Sequence, residues 1–147
     1  MKSYQVVKQE RDNYCIPAVL QAILRRHGEK VSQDEIASNL AFGEKGFFSF
    51  CEEINRFFRK RGLKYSSFNY NEIPRDMIEV FLDEIPKKKD VFIILNNHAE
   101  LIIELEYPRI RTIDSYNLME RERDIHEVFR DMYEKQIGEF GLVKKLN

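Results

Sequence analysis

Tryptophan is absent from this chain of 147 residues, and cysteine occurs only twice, histidine three times and proline four times. Two cysteines cannot build the disulfide framework of a small secreted domain. No Cys or His pair has the short spacing of a zinc site, because Cys15 and His27 stand at opposite ends of a predicted helix. Neither a metal nor another cofactor is therefore expected. No apolar run approaches the ~18 residues of a membrane-spanning helix, and the opening MKSYQVVKQERD lacks the apolar stretch of a signal peptide. A one-sided charge is missing too: 24 Lys and Arg against 25 Asp and Glu leave −1. A nucleic acid or an anionic membrane would select for a basic excess, so neither is an expected partner. The short basic runs Lys87-Lys88-Lys89 and Arg59-Lys60-Arg61 read as solvated charge, the second at a helix C-terminus where cations suit the dipole. With no repeat, low-complexity stretch or linker, residues 1–147 are expected to form one domain, in the cytoplasm. Nothing in the sequence fixes its oligomeric state.

What is present is a core's worth of apolar residues: 43% of the chain, with 11 Phe and 7 Tyr. Their spacing predicts an α-rich first half and a β-rich second half, the α+β pattern. Residues 4–7 suggest a short strand. A helix is predicted from Cys15 to His27, with Pro17 in its first turn, Gly28 closing it, and Ile16, Val19, Leu20, Ile23 and Leu24 on a buried stripe. Ser32 and Glu35 have capping-box spacing and open a short helix through Leu40. Gly43 to Gly46 reads as a loop. Phe47, Phe50, Cys51, Ile54, Phe57 and Phe58 predict an amphipathic helix stopped at Gly62. A strand over 63–68 and a helix from Pro74 to near Pro86 follow. The run 91–95 suits a strand buried on both faces, and 99–105 alternates like a half-buried one. After the turn at Tyr107-Pro108, residues 109–114 return as a strand, 124–135 form a helix and 139–146 a closing strand. The expectation is four or five helices against an antiparallel sheet.

So few Cys and His residues allow each to be weighed as a chemical group. Cys15 stands where a helix begins, and free N–H groups and the positive dipole end there favour a thiolate. Cys51 falls on the apolar stripe of its predicted helix and reads as inert core. His27 reads as a cation at a helix C-terminus, and His126 as a surface residue. His98 begins the alternating strand after Asn96-Asn97, a strand-end position suited to a general base. Asp114 ends the strand that returns from the His98 strand, so the hairpin can bring the two together to orient the imidazole. The charge pattern pairs Glu106 with Arg109 and Glu104 with Arg111, which would put His98 and Asp114 on opposite faces unless a bulge intervenes. A Gln9 amide could point at an oxyanion beside the Cys15 N–H.

Together these residues resemble the papain-like cysteine peptidases, and most closely the bacteriocin-processing peptidases that act on double-glycine leaders, with their stand-alone relatives. QERDNYCIPAVLQAILRRHG resembles that family's opening motif, and VFIILNNHAELII its strand, His and second strand. The order Gln9, Cys15, His98, Asp114 and the intervals between them fit, and the match runs from about residue 5 to 117. The resemblance implies a papain-like fold and peptide or protein substrates. It also implies acyl transfer through a thioester, with Cys15 as nucleophile, His98 as acid and base, Asp114 as orienter and Gln9 as oxyanion donor. The chain departs from the pattern at Ile16, where the family usually has Gly, at Ala99, where a bulkier residue is usual, and at Ser115 in place of Pro. An acyltransferase, transglutaminase or deamidase could use the same triad, and an inactive interaction module could keep the same fold.

Overall fold

The computed structural model describes residues 3–43, 46–48, 50–84 and 89–146, with the side chains of residues 81, 83 and 84 excepted. Its centre is a helix, α1 (Cys15–Arg26), whose residues from Ile16 to Leu24 are all buried. The expected stripe is thus a fully enclosed cylinder, because α1 has partners on every side. Beneath it runs a six-stranded antiparallel sheet; α2 (Gln33–Ala37) packs against α1, and α3 (Glu52–Arg59) lies on the same face of the sheet. Ser32 caps α2 through Glu35 N–H (3.1 Å), as its spacing predicts. Gly28, at φ +83°, takes the left-handed conformation that ends α1.

The sheet consists of β3 (Leu63–Asn69), β4 (Lys89–Leu95), β5 (His98–Glu106), β6 (Arg109–Asp114), β7 (Glu120–Asp124) and β8 (Glu139–Lys145), in the order β3-β8-β4-β5-β6-β7. One face carries Phe92, Ala99, Leu101, Val143 and Tyr65 against α1 and α3. The other carries Ile93, Phe140 and Leu142 against α5 (Ile125–Lys135) and α4 (Ile78–Glu84). Burial on both faces explains the unbroken apolar run of β4. At the middle of the sheet Phe92 lies across Gly141, where an added Cβ would stand only 2.2 Å from the ring.

Four sequence expectations change. Residues 4–7 form no strand; Tyr4 is held by its hydroxyl on Asp90, and the residues that follow by Gln33. Gln33 donates to the Lys8 carbonyl (3.2 Å) and accepts from Glu10 N–H (2.9 Å), and it bonds the buried Gln21 (3.1 Å). The Phe-rich segment does not open as a helix. Phe42–Gly43 (β1) and Gly46–Phe47 (β2) pair as a small two-stranded flap, and α3 starts only at Glu52. Cys51 is consequently the N-cap residue of α3, half-buried, with its thiol donating to the Asn39 carbonyl (3.3 Å). The helix predicted from Pro74 begins with a 3₁₀ turn, Arg75–Met77; its expected stop at Pro86 lies outside the described residues, as does the Lys87-Lys88 part of the basic run. Finally, β7 was not anticipated. Its sequence ERERD is an edge strand largely open to solvent, so no apolar alternation announces it. Among the described residues no helix is long and apolar enough to cross a membrane.

Candidate active site

The start of α1 abuts the start of β5. Asn96 and Asn97 both have left-handed backbones (φ 51° and 62°), which makes a two-residue hairpin turn and leaves His98 as the first residue of β5, opposite Leu95. On its far side β5 pairs with β6 in the register set by charge, Glu106 opposite Arg109 and Glu104 opposite Arg111. The register then shifts between Ile102 and Glu104, so that Ile102 faces Thr112 and Glu100 faces Asp114. This bulge moves Asp114 to the face of His98. His98 Nε2 and Asp114 Oδ1 are 2.8 Å apart.

The Cys15 thiol stands against the same imidazole, and each shifts the titration of the other. With Nε2 engaged by Asp114, Nδ1 is the ring nitrogen left for the sulfur. Burial pushes the thiol pKa up, but the bond to His98, backbone N–H bonds from Ala99 and Ile16, and the imidazolium charge outweigh it, and the net shift is down. The His98 pKa is raised to about 9, first by the bond to Cys15 and then, against the cost of burial, by Asp114. Thiol and imidazole therefore favour a thiolate–imidazolium pair over the neutral pair.

Asp114 is fixed in turn. Its Oδ1 also accepts from Tyr116 N–H (2.8 Å), and Arg121 Nη2 lies 3.7 Å from Oδ2. Behind it Glu100, buried, receives a forked bond from Arg123 (2.8 to 3.2 Å) and one from the Thr112 hydroxyl (2.6 Å). His98, Glu100 and Asp114 bring three potential ligand atoms within 4.8 Å of one another, a spacing a metal ion could bridge. The guanidinium groups of Arg121 and Arg123 already balance the two carboxylates, so the donor set does not call for a cation.

Gln9 is held close by but is aimed elsewhere. Its amide donates one hydrogen to the Arg11 carbonyl (3.0 Å) and the other to that of Asp12 (2.9 Å), while its Oε1 accepts from the Ser115 hydroxyl (3.1 Å). Gln9 N–H bonds the Ser115 carbonyl as well (2.9 Å). The residue is buried and does not line the cleft. Both its donors are spent, so in this structure it ties the loop before Cys15 to the strand end that carries Asp114. Ser115, the residue in the family's Pro position, supplies the hydroxyl for that tie.

Cys15 and His98 line a cleft of about 800 Å³. Phe42 and Phe47 of the flap and Phe48 just after it also line the cleft; Phe42 and Phe48 are exposed, and Phe47 packs edge-on against Tyr14, just before the cysteine (5.7 Å). Ile16 lies in the cleft wall, only 5% exposed. The other candidates of the sequence are elsewhere. His27 caps α1 and binds Asp90 (2.7 Å), a partner on a distant strand that its local charge pattern does not reveal. His126 lies on the first turn of α5 against the Tyr107 hydroxyl.

A thiol at a helix start, an imidazole at a strand start and a carboxylate at a bulged strand end are the groups that a thiol hydrolase of papain-like design employs. The chain matches the model of the peptidase C39 family over residues 3–113 and belongs to that family; it is a papain-like cysteine peptidase. Among solved structures, it is similar to a double-glycine-motif protease from an AMS/PCAT transporter, in complex with the leader peptide. The identity is 14%, the TM-score 0.68, and the match covers 97% of this chain and 92% of the other. It is also similar to the peptidase domain of Streptococcus ComA, a bifunctional ABC transporter involved in quorum sensing, at 14% identity and a TM-score of 0.67, covering 97% and 99%. Comparison with curated protein sequences yields no match.

Proposed function

We propose that Cys15, His98 and Asp114 form the catalytic triad and that the chain hydrolyses peptides carrying a pair of small residues, such as Gly-Gly, ahead of the cut bond. The observation that carries the reading is a thiol beside an imidazole that is itself bonded to a carboxylate (2.8 Å), at the wall of an open cleft. The small-residue preference rests on the likeness to the double-glycine-motif protease. The Cys15 thiolate attacks the carbonyl carbon, and a C–S bond forms as the carbonyl electrons move to oxygen. The Cys15 N–H, at the open end of α1, holds that oxyanion, a donor of this kind contributing about 3 kcal/mol. His98 gives its proton to the amine as the C–N bond breaks. Water then adds to the thioester, His98 takes its proton, and the C–S bond breaks to release the acid. Gln9 keeps the Cys15 loop and the Asp114 strand end in fixed relation. The two apolar clusters on the faces of one sheet support the reading of the chain as one domain, and two free thiols suit a reducing compartment such as the cytoplasm.

The test is cleavage of quenched fluorescent peptides containing Gly-Gly, together with labelling by an electrophilic peptide. Wild type cleaves and is labelled once, at Cys15; Cys15→Ala does neither, and His98→Ala is labelled at least a hundredfold more slowly. Equal labelling of wild type and Cys15→Ala would overturn the assignment. Transfer of the acyl group to an added amine in preference to water would place the chain among acyltransferases on the same triad.

A further inference from the structure

The floor of the cleft is a row of paired residues crossing four strands. Ala99 faces Ile94, Ile94 faces Glu139, and Glu139 faces Asn69. Paired residues share a sheet face, and all four line the cleft. Two strand spacings separate Ala99, whose N–H meets the Cys15 sulfur, from Glu139, roughly 10 Å in all. An extended peptide covers that distance in about three residues.

Glu139 is the one member of the row that can ionise, and among the described residues no cation pairs with it. One carboxyl oxygen, Oε1, is shut from solvent with no hydrogen-bond partner among the described residues. Burial, reinforced by the nearby Glu72 carboxylate, raises its pKa. The rest of the lining makes the site more acidic still: besides His98 the charged lining residues are Asp12 and Glu139, with no lysine or arginine among the described ones. A half-buried carboxylate lacking a cation is costly where it stands, and a ligand cation would remove that cost and add a charge-assisted hydrogen bond.

We propose that Glu139 is a specificity residue for a lysine or arginine side chain of the substrate, about three residues from the bond that is cut. The inference rests on the peptidase reading above and adds a charged subsite to it.

The test is a set of Gly-Gly peptides with Lys, Arg, norleucine or Glu at the third or fourth position ahead of the scissile bond, or at the second to fourth position after it. In wild type, Lys or Arg at one third-position site raises kcat/KM at least tenfold over norleucine, and Glu at that site lowers it. In Glu139→Gln the ratio of basic to norleucine peptide falls to about one, and in Glu139→Lys the order reverses in favour of Glu. A flat profile in wild type, or an undiminished basic preference in Glu139→Gln, overturns the inference alone. Iodoacetamide labelling of Cys15 in the same preparations separates this from failure of the enzyme reading. An unreactive Cys15 with no cleavage overturns both. If Cys15 is reactive and no peptide of the set is cut, fluorescence anisotropy with Cys15→Ala reads the preference as binding, and equal Kd values across the set overturn it.

Discussion

Two His–Asp pairs of almost equal length sit at the two ends of α1. At its start His98 meets Asp114 at 2.8 Å; at its end His27 meets Asp90 at 2.7 Å. Geometry of the pair alone does not separate them. The third group does. Beside His98 stands a thiol at the wall of a cleft, and that thiol is the largest cause of the raised imidazole pKa. Beside His27 stands Arg26, which gives Asp90 two further bonds (2.7 and 2.9 Å), and the Tyr4 hydroxyl adds another. Asp90 is wholly buried there and is saturated with donors. In the proposed mechanism the first pair changes its charge during the reaction, whereas the second pins the N-terminal segment and α1 to β4.

Exchanging the two histidines for alanine is the strongest way to break that comparison. His98→Ala should reduce kcat by about a thousandfold, the middle of the 10²–10⁴ range for general acid–base loss, while leaving the melting temperature within a few degrees. His27→Ala should keep cleavage of a Gly-Gly peptide near the wild-type rate and lose stability instead. Asp90→Ala should be worse still, by about 3 kcal/mol, because it strands Arg26 without its carboxylate. Urea unfolding beside peptide kinetics checks all three. A His27→Ala enzyme as inactive as His98→Ala would erase the distinction.

Titration sharpens the same contrast. The ion pair needs a deprotonated Cys15 and a protonated His98, so kcat/KM should rise with pH as the lowered thiol pKa is passed and fall again as pH rises through about 9. For stability the sign follows from His98 being raised above its ordinary 6.5. Its contribution is complete below about 6.5 and is lost as pH rises through about 9. In Cys15→Ala the largest cause is gone, so the imidazole midpoint followed by NMR should drop toward the ordinary range. A midpoint unmoved by that substitution would mean that Asp114, not the thiol, governs the imidazole.

Much of this site is legible in the sequence because its parts are local. The helix that begins at Cys15 is bounded by Pro17 in its first turn and Gly28 past its end, and the register of β5 and β6 is marked by the pairs Glu106–Arg109 and Glu104–Arg111. The bulge that brings Asp114 to His98 follows only if the triad is assumed, since nothing in Ile102-Ile103 announces an extra residue. The flap is hidden for another reason. Phe47, Phe50 and Phe58 have helical spacing, yet the first belongs to β2 and packs on Tyr14, while Phe50 stacks on Tyr65 at 5.6 Å. Aromatic residues seeking separate partners imitate a stripe. The partner of His27 is 63 residues away, a separation at which spacing carries no signal.

Gln9 yields the smallest effect and the finest distinction. As a direct oxyanion donor, its loss would cost about 3 kcal/mol in kcat with no change in stability. In this structure its amide bridges the carbonyls of Arg11 and Asp12, and its oxygen holds Ser115. Gln9→Ala strips partners from these groups, at about 1 kcal/mol for each bond lost, so the melting temperature should fall by several degrees. Turnover should slow along with it, by about tenfold, as Cys15 and Asp114 lose their fixed relation. The sharper probe is Ser115→Ala, which removes one bond to Gln9 and leaves the amide hydrogens in place. If Gln9 acts as a tie, Ser115→Ala reproduces part of both losses. If it acts as a donor to the substrate, Ser115→Ala leaves kcat untouched, and a thermal melt run beside single-turnover kinetics tells the two apart.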